Sequence, residues 1–279
     1  MHPIVNEIRN ALREHYPDSE ALALAKMLLV EAFGFSTLEL YGGKDKEISG
    51  KRLDVLNEMI ARLKKNEPIQ YVIGAEVFCG WTFEVNENVL IPRPETQELV
   101  RWIEADWKSD APCRILDVGT GSGCIAISLS KLLEGAEVEA WDISEGALRV
   151  ARRNADRNEA QVFFRRVDVL KACTEDCRYD VIVSNPPYIT ESEKQGMEAN
   201  VLEWEPHTAL FVPDTDPLLF YRRIAELGVS MLNEGGALYF EINRAYGEET
   251  VRMLEGLGYK QIELRMDNWG NDRMIKANR

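Results

Sequence analysis

Apolar positions in the first 67 residues recur at helical intervals. In LDVLNEMIARLKK, Leu53, Leu56, Ile60 and Leu63 step by three, four and three, which puts them on one face of a helix. EALALAKMLLVEAFG, residues 20–34, predicts a second helix, capped by Asp18 or Ser19 and stopping near Gly34. Pro68 is expected to end this helical module, because proline lacks the N–H that a helix interior needs. The pattern then changes period. AEVFCGWTFEVNENVLI, residues 75–91, alternates apolar and polar, with turn-like points at Cys79-Gly80 and Asn86-Glu87-Asn88. This predicts a β-hairpin linker, closed by Pro92 and Pro94.

From Arg114 onward short apolar runs alternate with amphipathic stretches. Strands are predicted at 114–118, 138–141, 162–166, 179–184 and 237–242, and helices at 123–133, 145–157, 217–232 and 247–256. Strands separated by helices imply a parallel sheet covered on both faces. YKQIELRM and DRMIKA are separated only by DNWGN, too short for a crossover helix, so the last strand is expected to run antiparallel to its neighbour. That feature departs from the dinucleotide-binding fold and fits a methyltransferase sheet. The expected organisation is a helical domain over 1–75, a hairpin linker over 76–93 and a catalytic α/β domain over 94–279.

Composition narrows the function classes. The 279 residues are 45% hydrophobic and 29% charged, as in a globular protein with a large core. No apolar run approaches the roughly 20 residues of a membrane span, and Glu7, Arg9, Arg13, Glu14 and Asp18 interrupt the start of the chain, so a cytoplasmic protein is expected. Cys79, Cys113, Cys124, Cys173 and Cys177 are expected to be reduced thiols. With only three histidines, no metal site is expected. The formal net charge is −14, yet residues 1–75 carry ten Lys and Arg against eleven Asp and Glu, so nearly all the acidity belongs to the rest of the chain. Such a surface disfavours direct nucleic-acid binding.

The candidate chemistry lies at the carboxyl ends of the predicted strands. ILDVGTGSG joins a strand to a helix through Gly119, Thr120, Gly121, Ser122 and Gly123. Glycines there let the backbone approach a ligand, and the helix N-terminus offers free N–H groups. A dinucleotide fingerprint would require glycine at position 124, which is Cys124, so the spacing favours S-adenosylmethionine over a nicotinamide cofactor. Asp142 follows 23 residues after Gly119, at the end of the second strand, where a carboxylate accepts from ribose hydroxyls or caps the next helix through Asp-x-Ser. Asp168 and Val169, at the end of the third, are expected beside an adenine. Asn185-Pro186-Pro187-Tyr188 ends the fourth strand abruptly, since two adjacent prolines remove two backbone donors and fix two φ angles. This rigid bracket can hold a planar nitrogen, with the Asn185 side-chain oxygen and the Pro186 carbonyl accepting its two hydrogens and Tyr188 stacking on its plane.

PIQYVIG (68–74), VLIPRPET (89–96), ILDVGTGSG (115–123), SNPPYI (184–189) and EPHTALF (205–211) together make the chain resemble the HemK/PrmC protein-glutamine methyltransferases over essentially its full length. The resemblance implies a Rossmann-like, seven-stranded S-adenosylmethionine-dependent methyltransferase domain behind a small helical domain. It further implies an enzyme that methylates the side-chain amide of the glutamine in the Gly-Gly-Gln motif of class 1 peptide-chain release factors. The helical domain would hold the release factor, and the chain would act as a monomer. Asn185, Pro186 and Tyr188 would be the catalytic residues, Asn185 to Tyr188 the glutamine site, and Gly119 to Gly123, Asp142, Asp168, Val169 and Asn185 the cofactor contacts. Two positions depart from the family: Gln97 stands where glutamate usually follows RPET, and Val169 replaces an aromatic residue often found beside the adenine. Asn-Pro-Pro-Tyr also occurs in enzymes that methylate exocyclic base amines, which is the competing enzymatic reading. A nucleoside-binding module without catalysis is the non-enzymatic one.

Overall fold

The computed structural model describes residues 1–42, 47–109, 111–173 and 177–279. The chain forms two compact units: Met1–Ala75 with Glu198–Trp204, and Glu76–Met197 with Glu205–Arg279.

The first unit is helical: α1 (Pro3–Leu12), α2 (Asp18–Met27), α3 (Thr37–Gly42), α4 (Lys51–Leu63) and α5 (Ile69–Ile73). α1, α2 and α4 bury a shared core that includes Val5, Ile8, Leu12, Ala21, Ala25, Leu56 and Leu63. Three expectations need correction here. The helix expected to run to Gly34 ends at Met27 and continues as a π-helical turn over Leu28–Ala32 before Gly34 reverses the chain at φ +65°. Leu53 does not share the buried face of α4; it is 40% exposed, whereas Leu56 and Leu63 are buried. Pro68 begins a helix instead of ending the module: it precedes α5, where a fixed φ costs nothing, and Gly74 ends that turn at φ +80°. The interruption after Met197 contributes a short helix, α9 (Ala199–Trp204), to this first unit, where Trp204 Nε1 donates to the Lys65 carbonyl.

The second unit opens at Glu76, within the hairpin strands β1 (Ala75–Phe78) and β2 (Trp81–Glu84), turned by Cys79 and Gly80, both at positive φ. Gln97, in the helix α6 (Pro94–Trp107), accepts from the Cys79 N–H at 3.0 Å. The departure from glutamate at this position thus keeps an acceptor for the hairpin turn. There follow β3 (Arg114–Val118), α7 (Cys124–Leu132), β4 (Glu137–Asp142), α8 (Glu145–Arg157), β5 (Val162–Arg166) and β6 (Tyr179–Ser184). A two-stranded parallel pair, β7 (Ile189–Thr190) with β8 (Phe211–Val212), precedes α10 (Leu219–Met231), β9 (Leu232–Glu241), α11 (Gly247–Gly256), β10 (Lys260–Met266) and β11 (Asp272–Asn278). The pair β7/β8 is absent from the sequence-based expectation because two residues per strand carry no periodicity.

The seven-stranded sheet has the order β10-β11-β9-β6-β3-β4-β5. β3, β4, β5, β6 and β9 are mutually parallel, and β11 is antiparallel to both β9 and β10. The antiparallel strand is therefore not the edge: α11 carries the chain one strand further out, and the short return brings β11 back into the gap. β9 starts five residues before the expected 237 because Gly235 and Gly236 let an irregularity form between Tyr179↔Leu232 and Val181↔Ala237. Alternation along the strands separates two cores. Ile115 and Val181 face α6 and α7, while Leu116 and Ile182 face α10 and α11.

Candidate active site

Parallel strands point their carboxyl ends the same way, and the crevice opens where connections from adjacent strands leave in opposite directions. That point lies between β3 and β6, which are neighbours in register. A cavity of about 410 Å³ occupies it, within the roughly 300–1,000 Å³ of small-molecule sites.

The loop after β3 is held from below. The N–H groups of Gly119 and Thr120 both donate to the Trp141 carbonyl, at 2.8 and 2.9 Å, and Gly121 N–H donates to Asp142 Oδ2 at 2.9 Å. Gly119 and Gly121 lie at φ +78° and +56°, and a Cβ on either would meet no atom within 4 Å. Their open side is the cavity, whose lining includes Gly119, Thr120, Gly121 and Ser122. Gly123 differs from the expectation. It is not among the lining residues, and a Cβ there would come within 2.9 Å of Ile127 and 3.2 Å of Ala151. Its need for glycine comes from its left-handed backbone at φ +83° and from α7 packing close to α8.

Asp142 lines the cavity and accepts from Gly121 N–H and, through Oδ1, from Ser144 N–H at 2.8 Å. The cap of α8 itself is Ser144, whose hydroxyl accepts from Ala147 N–H. Each Asp142 oxygen keeps a second lone pair for a ligand. Burial pushes this carboxyl above its ordinary value, opposed by the N–H groups of Ser144, Gly121 and Ile143. Beneath the loop Asp117 is fully buried, with Oδ2 accepting from Thr120 Oγ1 and Ala126 N–H, and desolvation pushes it up to about 7. Asp168 and Val169 also line the cavity; a hydrogen bond from Lys171 holds Asp168 below its ordinary value.

After β6, Asn185, Pro186 and Pro187 line the same cavity. Asn185 Nδ2 donates to Thr96 Oγ1 at 3.2 Å. Among the described residues, no group donates to Asn185 Oδ1 or to the Pro186 carbonyl. Tyr188 is placed otherwise than expected. It is not among the lining residues; its hydroxyl donates to Glu241 Oε1 at 3.1 Å, and its ring packs on the core beneath α10 and α11. The sequence reading lacked the polar partners of the bracket. Thr96 lay in a motif given no role, and Glu241 is the lone carboxylate in the apolar run ALYFEI, which is the signal that could have exposed it. Burial pushes Glu241 up, countered by the Thr96 hydrogen bond, the Arg273 charge and the Tyr188 hydroxyl. Arg93, another lining residue, pairs with buried Glu205, which also accepts from Ile91 N–H, so IPRPET and EPHT are fastened together at the cavity wall.

A sheet of this order, with a glycine loop and an Asn-Pro-Pro-Tyr turn at one switch-point cavity, defines an S-adenosylmethionine-dependent methyltransferase. Residues 4–74 match the PrmC N-terminal domain model and residues 95–203 the methyltransferase small domain model. The chain is 53% identical over 280 residues to a release factor glutamine methyltransferase of Bacteroides thetaiotaomicron, covering all of both chains. It is 47% identical over 255 residues to that of Flavobacterium psychrophilum, covering 90% of each. A solved methyltransferase from Pyrococcus furiosus shares the fold at a TM-score of 0.53 and 18% identity, over 80% of this chain and 98% of that one. The chain belongs to the release factor glutamine methyltransferase family.

Proposed function

We propose that the protein transfers a methyl group from S-adenosylmethionine to the side-chain amide nitrogen of the glutamine in the Gly-Gly-Gln motif of class 1 release factors. The observation that carries this reading is a single cavity bearing both a glycine loop with open backbone and two unengaged acceptors, Asn185 Oδ1 and the Pro186 carbonyl.

The residues fit the cofactor. Gly119 and Gly121 form a cradle that any Cβ would fill, Asp142 has lone pairs free for ribose hydroxyls, and Asp168 and Val169 offer a polar and an apolar contact for the adenine. When bound, the cofactor supplies an electrophilic methyl on a sulfonium. The acceptor is a poor nucleophile because its lone pair is delocalised into the carbonyl. Asn185 Oδ1 and the Pro186 carbonyl take its two N–H groups, which fixes the plane of the amide and turns its lone pair toward the methyl. Formation of the N–C bond would be matched by cleavage of the sulfonium's methyl–sulfur bond, with the electron pair staying on sulfur, and by loss of one of the two amide protons. Pro186 and Pro187 keep the two acceptors in place without induced movement. The helical unit, residues 1–75, is assigned to a second contact with the release factor, because a glutamine in a loop offers little surface of its own for recognition.

Mass spectrometry of purified release factor after incubation with the protein and S-adenosylmethionine tests the reading. The expected product is a single methyl on the peptide carrying Gly-Gly-Gln. An unmodified release factor under conditions where the protein binds the cofactor would refute it.

A further inference from the structure

The Asn185 side chain works as an acceptor only in one of its two amide orientations; flipped, it would present an N–H to the N–H of its substrate. What selects the orientation is a buried pair beside it: Thr96, which shares the cavity wall with Asn185, and Glu241, which does not reach the cavity. Glu241, 1% exposed at the carboxyl end of β9, accepts from Thr96 Oγ1 through Oε2 at 2.6 Å. Thr96, 2% exposed, has one hydroxyl proton, and that proton is committed to the carboxylate. Toward Asn185 the Thr96 oxygen can therefore only accept. The Asn185 group facing it is Nδ2, at 3.2 Å. The other Glu241 oxygen takes the Tyr188 hydroxyl, so one carboxylate holds both ends of the four-residue turn.

We infer that Thr96 and Glu241 are positioning residues for methyl transfer: the one-way donation from Thr96 to Glu241 forces Asn185 to turn its oxygen toward the cavity. The inference rests on the role given to Asn185 above. It accounts for a threonine in the first turn of α6 and a glutamate inside an apolar strand, two positions 145 residues apart that meet beside the bracket.

The test compares Thr96→Val, which keeps the shape and removes the hydroxyl, with Thr96→Ser, which keeps the hydroxyl. Single-turnover methylation of release factor at saturating cofactor should fall roughly ten- to a hundred-fold in Thr96→Val, on the scale of a misplaced polar group. Cofactor affinity should stay close to that of the parent, the unfolding temperature should fall because Glu241 Oε2 loses its buried donor, and Thr96→Ser should restore most of the rate and of the stability. Added to Asn185→Ala, Thr96→Val should cost no more than about twofold further, since its effect runs through Asn185. Where Asn185→Ala is too slow to measure, the serine rescue decides. A parent-like rate in Thr96→Val, a loss confined to cofactor affinity, or independent losses that multiply would each overturn the inference. A second measurement does not depend on the substrate. The side-chain NH₂ resonances of Asn185, identified by their absence in Asn185→Ala, should shift in Thr96→Val and Glu241→Gln and return in Thr96→Ser. If the parent fails to methylate release factor, the proposed function falls while these resonances still report on the relay; resonances unmoved in both Thr96→Val and Glu241→Gln would sink the relay alone.

Discussion

Asp117, buried, and Asp142, partly buried, are carboxylates 25 residues apart with opposite consequences for a ligand. Asp142 lines the cavity with lone pairs to spare, so Asp142→Ala should weaken S-adenosylmethionine binding by about 1–3 kcal/mol, the scale of lost charge-assisted hydrogen bonds. Titration calorimetry showing parental affinity would place the ribose elsewhere. Asp117 sits under the loop, and its effect is on stability. Between its ordinary value of 3.8 and its folded value of about 7, the folded protein retains a proton that the unfolded chain has released. The folded state binds more protons in that window, so this group makes stability fall as pH rises through it. Asp117→Asn removes the titration. The stability difference, variant minus parent, should therefore climb between those two pH values and level off above; urea denaturation at a series of pH values giving a flat difference would contradict the assignment. Asp142 was legible in the sequence from its spacing, whereas Asp117 stood inside a quoted motif with nothing to mark it as buried and half-unpartnered.

Within the glycine loop, three residues of one kind do two different jobs. Gly123 is pressed between α7 and α8 at φ +83°, so Gly123→Ala should destabilise the fold by about 2–4 kcal/mol, combining a left-handed backbone with a displaced Ile127. Gly121→Ala meets open space at φ +56° and should cost only about 1–2 kcal/mol, while blocking the cofactor cradle. Chemical denaturation paired with cofactor binding separates them, and equal stability losses would contradict the division. At this scale the amphipathic helices were the most readable features. α8 and α11 begin and end where their patterns do, because Ser144 caps the first and acidic residues open the second. The helix after Asp18 was misjudged because a π-turn keeps a similar apolar spacing. Pro68 was misjudged because proline marks a helix start as readily as an end.

Across the whole molecule the −14 charge argues about substrates. An enzyme that tracks phosphates loses roughly 10³–10⁵ in affinity between about 50 and 200 mM salt. Methylation of release factor by this protein should change by less than about tenfold over that range, and radiolabelled methyl should not enter duplex DNA or bare ribosomal RNA. Label in nucleic acid but not in release factor would replace the proposed substrate with a base amine. The two-unit organisation also limits how the helical domain can be tested. Residues 198–204 belong to the first unit, so deleting 1–75 strands α9 and its Trp204 as well. Substitutions on the exposed faces of α3, such as at Leu38, probe the domain without that loss.

Local signals determined the class of sheet, the glycine loop, the cavity-lining carboxylate Asp142 and the proline bracket, since turn chemistry, periodicity and strand ends are written in neighbouring residues. The family motifs determined the kind of acceptor. Tertiary structure alone decided that β11 slips between β9 and β10, that Gly123 serves packing, that Tyr188 faces Glu241 rather than the cavity, and that Thr96 stands between Glu241 and Asn185. The contacts among Thr96, Asn185, Tyr188 and Glu241 join residues from 53 to 145 positions apart. A buried carboxylate chooses its partners by the geometry of the packed interior, where every polar group must be satisfied by whatever the fold brings within reach.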